Sequence, residues 1–280
     1  MKKGLIMEGG AMRGIFTCGV IDVLMENNIN FDGAAGISAG AVFGCNYKSK
    51  QIGRGIRYNK KYCNDKRYCS MKSLIKTGDL YNAKFCYETL PNELDIFDIK
   101  TFESNPMEFY VGATNVSNGE TVFHKCDKGD SNDVMWMRAS ASMPIVSKIV
   151  KIDNYELLDG GISCPVPYKY MMDLGYDKNI IILTQPKNYT KKKTSFLINL
   201  LLHRYKAIQT VMKNRHNLYN NQMQEILNLE KSGNAIVLRP ESSLNIGKSE
   251  KNPDKLEEVY NLGRKVCLDR LSEIKKFLNE

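Results

Sequence analysis

The stretch Gly36-Ile37-Ser38-Ala39-Gly40 sets one serine between two glycines, each two residues away. This is the spacing of a nucleophile held in a strained turn between a strand and a helix. A serine forced into such a turn crowds the residues two before and two after it, and glycine, lacking a Cβ, relieves the crowding. A helix starting behind Ser38 would aim free N–H groups and the positive end of its dipole at the reacting atoms. A second candidate is Asp159, delivered by Tyr155-Glu156-Leu157-Leu158 and followed by Gly160-Gly161. A free aspartate titrates near ~3.9 and is a poor base for a hydroxyl. Partial burial beside Leu157 and Leu158 would raise its pKa.

A third stretch, Glu8-Gly9-Gly10-Ala11-Met12-Arg13-Gly14, lies between a short apolar run and a helical pattern. A glycine-rich turn at a helix N-terminus is an anion-binding device, and two chemistries use it. Dinucleotide binding would take Gly9 and Gly14 as outer glycines and Asp32 as the ribose acid, but Ala11 occupies the middle position, where the pyrophosphate comes closest. An oxyanion hole for acyl transfer is the other use. It explains why the loop precedes the serine turn, whereas dinucleotide binding leaves Ser38 without a role. The chain has three histidines, His124, His203 and His216. A Ser–acid–His order is satisfied by Ser38, Asp159 and either late histidine. Both, however, sit in a long helical pattern rather than on a loop after a last strand, and His124 lies mid-strand.

The elements that must position these residues can be read from periodicity. Gly4–Met7 reads as a buried strand, followed by a helix in which Ile15, Phe16, Val20, Val23 and Leu24 recur at helical spacing. Strands are expected at 107–116 and 121–124, joined by a turn at Asn118-Gly119. A helix is expected from Asp133 to Ser142, stopping before Pro144. Further strands are expected at 155–158, 179–183 and 235–238, and helices at 195–229 and 254–277.

Composition is ordinary for a globular chain: 280 residues, 42% apolar and 25% charged. The eight cysteines include no C-x-x-C pair, which argues for reduced thiols in a cytosolic setting and against a zinc site. No signal peptide fits, and the longest apolar run, Phe196–Leu202, is too short to span a bilayer. The net charge of +9 is uneven. Lys48 to Lys76 holds ten Lys or Arg against one acid, Asp65, with Tyr47, Tyr58, Tyr62 and Tyr68 in or beside it. A basic, tyrosine-rich surface suits anionic lipid or nucleic acid, although a charge run is more often a solvated face.

Four stretches, taken in order, resemble the patatin-like phospholipase family: Gly9–Gly14, Gly36–Gly40, Ala139-Ser140-Ala141-Ser142-Met143-Pro144, and Asp159-Gly160-Gly161. Ala11 departs from the pattern, standing where many members have a third glycine. The resemblance implies an α/β, three-layer fold with a central, mostly parallel sheet flanked by helices. The catalytic core would cover residues 4–186, and a mainly helical extension, residues 187–280, would pack on it. It also implies a serine acyl hydrolase that cleaves lipid carboxylic esters with a Ser38–Asp159 dyad. Ser38 would be the nucleophile, Asp159 the general base, and Gly9, Gly10, Ala11, Arg13 and Gly14 the oxyanion loop. Gly36 and Gly40 would shape the elbow, and Gly160 and Gly161 the turn after the base. No cofactor or metal is expected. The expected partners are a lipid or ester substrate and an anionic membrane surface met by Lys48–Lys76, not nucleic acid. The expected location is cytoplasmic, with peripheral membrane attachment. Two alternatives stay open: an esterase with a Ser-Asp-His triad, and a catalytically quiet lipid-binding module.

Overall fold

The computed structural model describes residues 1–279. Its centre is β1 (Lys2–Met7), paired in parallel with β2 (Gly33–Ile37) on one side and β7 (Tyr176–Ile182) on the other. Beyond β7 lies β8 (Ala235–Leu238), and beyond β2 lies β3 (Glu108–Asn115), both again parallel. β3 then takes two antiparallel partners, β4 (Thr121–Lys125) and β6 (Tyr155–Asp159), and β5 (Val150–Ile152) closes the edge on β6. The order is β5-β6-β3-β2-β1-β7-β8, with β4 on β3. The sheet is thus parallel through its middle, as expected, and antiparallel where it carries Asp159. β5 gave no clear alternation and was not expected.

Successive side chains of a strand point to opposite faces, and β1 divides the core accordingly. Leu5 and Met7 join one cluster with α1 (Ile15–Glu26), α2 (Ala39–Lys48), α10 (Pro253–Asp269) and α11 (Leu271–Asn279). Ile6 joins the other, with α7 (Tyr168–Asp173) and α9 (Lys206–Lys231). These are the three expected layers. α1 is buried along all but its last residue, which requires cover on more than one side. α10 supplies it at close range: a Cβ on Gly19 would collide with Tyr260 O, and one on Gly263 with Phe16 O.

Residues beyond 186 therefore share both the sheet and the core of the preceding part. Two helical expectations are corrected here. The 195–229 helix is two, α8 (Phe196–Leu201) and α9, separated where Leu202 turns into the core and Tyr205 leaves helical geometry. The 254–277 helix breaks at Arg270, which donates to Val237 O and Glu273 instead of continuing the helix.

The basic stretch differs from expectation in the surface it shows, not in its helices. It forms α3 (Arg54–Tyr62) and α4 (Met71–Thr77), the second ended by Gly78 in the left-handed region. Tyr47, Tyr58, Tyr62 and Tyr68 are buried, so no tyrosine-rich surface exists there. Lys48 is buried too and donates to Met107 O at 2.7 Å, while Arg54 is buried against Asn46 and Asp95. The charge run suggests one outer face, but α3 turns its tyrosines inward and leaves Arg57, Lys60 and Lys61 outside.

Candidate active site

Ser38 ends β2 at the start of α2, with φ 53°, ψ −119°. That positive φ is strained for a residue with a Cβ. The flanking glycines are sterically required, since a Cβ on Gly36 would strike Gly40 O and one on Gly40 would strike Met7 O. Asp159 reaches the same place from β6. In the β3 register, Ile37 pairs with Gly112 and Ala113 with Asp159. Because β4 pairs along the other edge of β3, β2 and β6 share one edge, and Ser38 and Asp159 meet there end to end. Gly160 packs so near Gly112 O that a Cβ would collide with it. The Ser38 hydroxyl donates to Asp159 Oδ2 at 2.7 Å.

One turn holds both residues. Ser38 N donates to Ser140 Oγ at 2.8 Å, and Ser140 Oγ donates to Gly112 O at 2.6 Å. Asp159 N donates to Ser142 O at 2.8 Å. The Ala139–Pro144 stretch, singled out in the sequence without a role for its serines, thus pins the elbow and the aspartate to each other. Asp159 Oδ1 accepts from Gly161 N at 2.7 Å. Burial pushes the Asp159 carboxyl pKa up, and the Ser38 hydroxyl, the Arg215 charge and the Gly161 N–H partly offset this.

The glycine loop lies against the serine: a Cβ on Gly9 would sit 2.9 Å from Ser38 Cβ, and one on Gly14 would sit 2.7 Å from Ala39 Cβ. The N–H groups of Gly9 and Gly10 have no partner among the described residues. Ala11 sits at φ 50°, a conformation glycine takes more easily. Its root, Glu8, is buried and accepts from Thr184 N at 2.6 Å and Tyr219 OH at 2.9 Å. Burial raises the Glu8 pKa, while the Arg13 charge, among other groups, opposes that rise; Arg13 Nε is itself buried without a hydrogen-bond partner.

Two of these supports come from α9, far along the chain, and carried no local signal. They are Tyr219 on Glu8, and Arg215, whose Nε donates to Gly161 O at 2.6 Å. Neither late histidine joins the pair. His203 is exposed with Nδ1 on Leu200 O, and buried His216 Nδ1 has no partner. His124 binds Asp133 and stacks on Trp136. Asp32 caps the backbone N–H of Lys3 at the opposite end of β1, away from the glycine loop, which removes the ribose acid of the dinucleotide reading.

From Ser38 a cavity runs inward between α2, α6 (Ser131–Ser140) and a π-helical stretch, Phe85–Leu94. Its walls are mostly apolar, with Val42, Phe43, Leu90, Phe97 and Met137 prominent, and Tyr58, Tyr68 and Tyr87 among them. Its one charged lining residue, Arg54, is occupied by Asn46 and Asp95.

A family model described as Patatin-like phospholipase matches residues 5–172, more than half of the chain. The chain belongs to the patatin-like phospholipase family. A second model, described as Domain of unknown function (DUF6363), matches residues 205–279, which include both α9 supports of the patatin-like site. Uncharacterized protein YjjU of Escherichia coli (strain K12) is 30% identical over 192 residues, covering 65% of this chain and 52% of that protein. A putative patatin-like phospholipase domain-containing protein of Caenorhabditis elegans is 24% identical, covering 64% of this chain and 16% of its own. Lysophospholipase nte1 of Aspergillus terreus is 31% identical, covering 62% and 11%. The chain therefore spans about half the length of the first and far less of the others. The crystal structure of VipD from Legionella pneumophila superposes with a TM-score of 0.50 at 13% identity, over 97% of this chain and 67% of that one, a likeness of fold alone.

Proposed function

We propose that this patatin-like chain hydrolyses carboxylic ester bonds of lipids, phospholipid or lysophospholipid acyl chains foremost, through an acyl-serine. The observation that carries this is the Ser38–Asp159 hydrogen bond at the mouth of an apolar cavity. An acyl chain enters the cavity and leaves its carbonyl at Ser38, since apolar walls gain by removing methylenes from water. Ser38 Oγ attacks the carbonyl carbon as its proton passes to Asp159 Oδ2. The oxyanion is met by N–H groups of Gly9, Gly10 and Ala11, in the positive field of α2 and Arg13, while Gly14 keeps the loop close to α2. Asp159 returns the proton to the departing alkoxide, so an alcohol leaves and the acyl group stays on Ser38. Water then attacks the acyl carbon, giving its proton to Asp159, and the carbonyl re-forms as Ser38 is expelled and reprotonated. Carboxylic acid and free enzyme result.

Residues 187–280 act here as a brace, since Tyr219 and Arg215 of α9 hold Glu8 and Gly161. A membrane face on the basic stretch narrows to Lys50, Lys61, Lys66, Lys72 and Lys76. Lys48 and Arg54 are buried, and Arg57, Lys60 and Arg67 are paired with Asp95, Glu257 and Asp65. No described helix is long and apolar enough to cross a membrane.

The test is turnover of a chromogenic ester. Ser38→Ala and Asp159→Asn are expected each to lower it by about a thousandfold or more, and a fluorophosphonate is expected to label Ser38. His203→Ala and His216→Ala are expected to leave turnover nearly intact. Labelling elsewhere, or a large loss in a histidine variant with unchanged melting, refutes the dyad.

A further inference from the structure

α8 shows its apolar side chains to solvent. Phe196 is 79% exposed and Leu197 68%, and Leu200 and Leu201 are exposed as well. A six-residue helix with this surface has no reason to be stable in water alone. Its charge setting is one-sided: exposed Lys192 and Lys193 precede it, exposed Arg204 and Lys206 follow, and no acid lies between Lys187 and Arg215.

The base of α8 is firmly held next to the site. Leu202 is buried with Leu158 and Ile162, which flank Asp159-Gly160-Gly161. Thr194 Oγ1 donates to Met212 O at 2.9 Å, and Gln209 Nε2 donates to Asn199 O at 2.7 Å. The apolar surface also continues. Ile149, packed on the Leu202 cluster, follows a loop with exposed Ile145. That loop is tied to the end of α4 by Leu80 N to Val146 O and Lys148 N to Asp79 Oδ1, and Met143 at its start lines the cavity. α4 in turn exposes Ile75 (82%) between Lys72 and Lys76.

We propose that α8, with the 145–149 loop and α4 beside it, is a docking surface for an anionic phospholipid bilayer, seating the cavity mouth on the lipid. Apolar side chains enter the acyl boundary while the flanking Lys and Arg meet lipid phosphates, the pattern of an interfacial helix. The charge pattern selects this occupant over a second copy of the chain, because a twofold contact would set each basic flank against a like one. This rests on the lipid hydrolase reading for its meaning but not for its test.

The test uses the Ser38→Ala protein, which leaves lipid intact, with vesicles of phosphatidylcholine alone and mixed with phosphatidylglycerol. Binding is expected only to the mixed vesicles, and to weaken with salt. Phe196→Ser, Leu197→Ser and Leu201→Ser together are expected to weaken it by roughly a hundredfold without changing the melting temperature. In the Ser38 background the same triple change leaves turnover of a water-soluble ester unchanged. A Leu197→Trp protein is expected to show blue-shifted emission on the mixed vesicles. Binding that ignores phosphatidylglycerol, or survives the triple change, overturns the proposal. So does a dimer that the triple change dissociates while vesicle binding persists. An inactive wild-type protein that still binds mixed vesicles through α8 counts against the hydrolase reading alone.

Discussion

Replacing Arg215 with glutamine tests whether α9 tunes Asp159, the proposed base. Arg215 Nε donates to Gly161 O, and Gly161 N donates to Asp159 Oδ1. The point where a Gly161 Cβ would lie is 3.0 Å from Asp159 Oδ1 and 3.4 Å from Arg215 Nη2. The two charges are therefore at most about 6 Å apart, within the range where opposite charge lowers a carboxyl pKa. At an effective dielectric constant of ~20 that separation corresponds to about 3 kcal/mol. Arg215 is only partly buried, so solvent screening reduces the effect to about 1–1.5 kcal/mol, or roughly one pK unit. The other groups facing Asp159 are Ser38 and Lys191, with Tyr87 on the cavity wall; the Lys191 pKa is pushed down to about 8, mainly by burial. Asp159 accepts a proton only as carboxylate. Burial raises its pKa and Arg215 lowers it, so losing the charge raises it further. The acid limb of kcat/KM for a water-soluble ester is expected to move up by about one pH unit, with rates converging on wild type on the alkaline side of that limb. Arg215→Lys, which keeps the charge, is expected to restore most of the profile. A loss of equal size at every pH, or a limb that does not move, would show that Arg215 merely supports the fold.

Two further outcomes follow from neighbouring groups. Ser140→Ala removes the partner of Ser38 N; kcat is expected to fall about tenfold to a hundredfold with KM little changed, alongside a stability loss of about 1–3 kcal/mol, read by kinetics and thermal melting. Burial pushes the Asp22 carboxyl up to about 6, against hydrogen bonds from Tyr260 and Gly53. The folded protein then holds a proton that the unfolded chain releases from about pH 4 upward. Asp22 therefore contributes stability that is lost as pH rises from about 4 to 6, and Asp22→Asn is expected to flatten the melting-temperature profile across that window and raise it near neutrality.

Much of the site is legible in the sequence because its requirements are steric and local. Gly36, Gly40 and Gly160 stand where a Cβ would strike backbone, so their spacing marks the turn whatever surrounds it. The parallel middle of the sheet is legible from short apolar runs alternating with helical ones. Arg215 and Tyr219 are not: they act across more than fifty and two hundred residues, and each looks locally like another polar position of a long helix. The tyrosines of α3 mislead because Lys and Arg between them suggest an outer face, while their rings complete the core and the cavity wall. The α8 break is hidden because Phe196–Leu202 continues the apolar pattern, although only Leu202 turns inward.

The close crossing of α1 and α10 has a consequence during synthesis. α1 is made more than two hundred residues ahead of the helix that covers it, which begins at Pro253. At roughly 5–20 residues per second, the ribosome takes on the order of ten seconds or more to deliver that cover. Throughout that time an apolar helix, with the Ser38 turn beside it, waits without its cover. A chain stopped after Gly161 carries every motif of the site and still has an open seam at Gly19, where Tyr260 belongs. Such a fragment is expected to need a chaperone rather than to act as a smaller enzyme, since α10 decides when α1 settles.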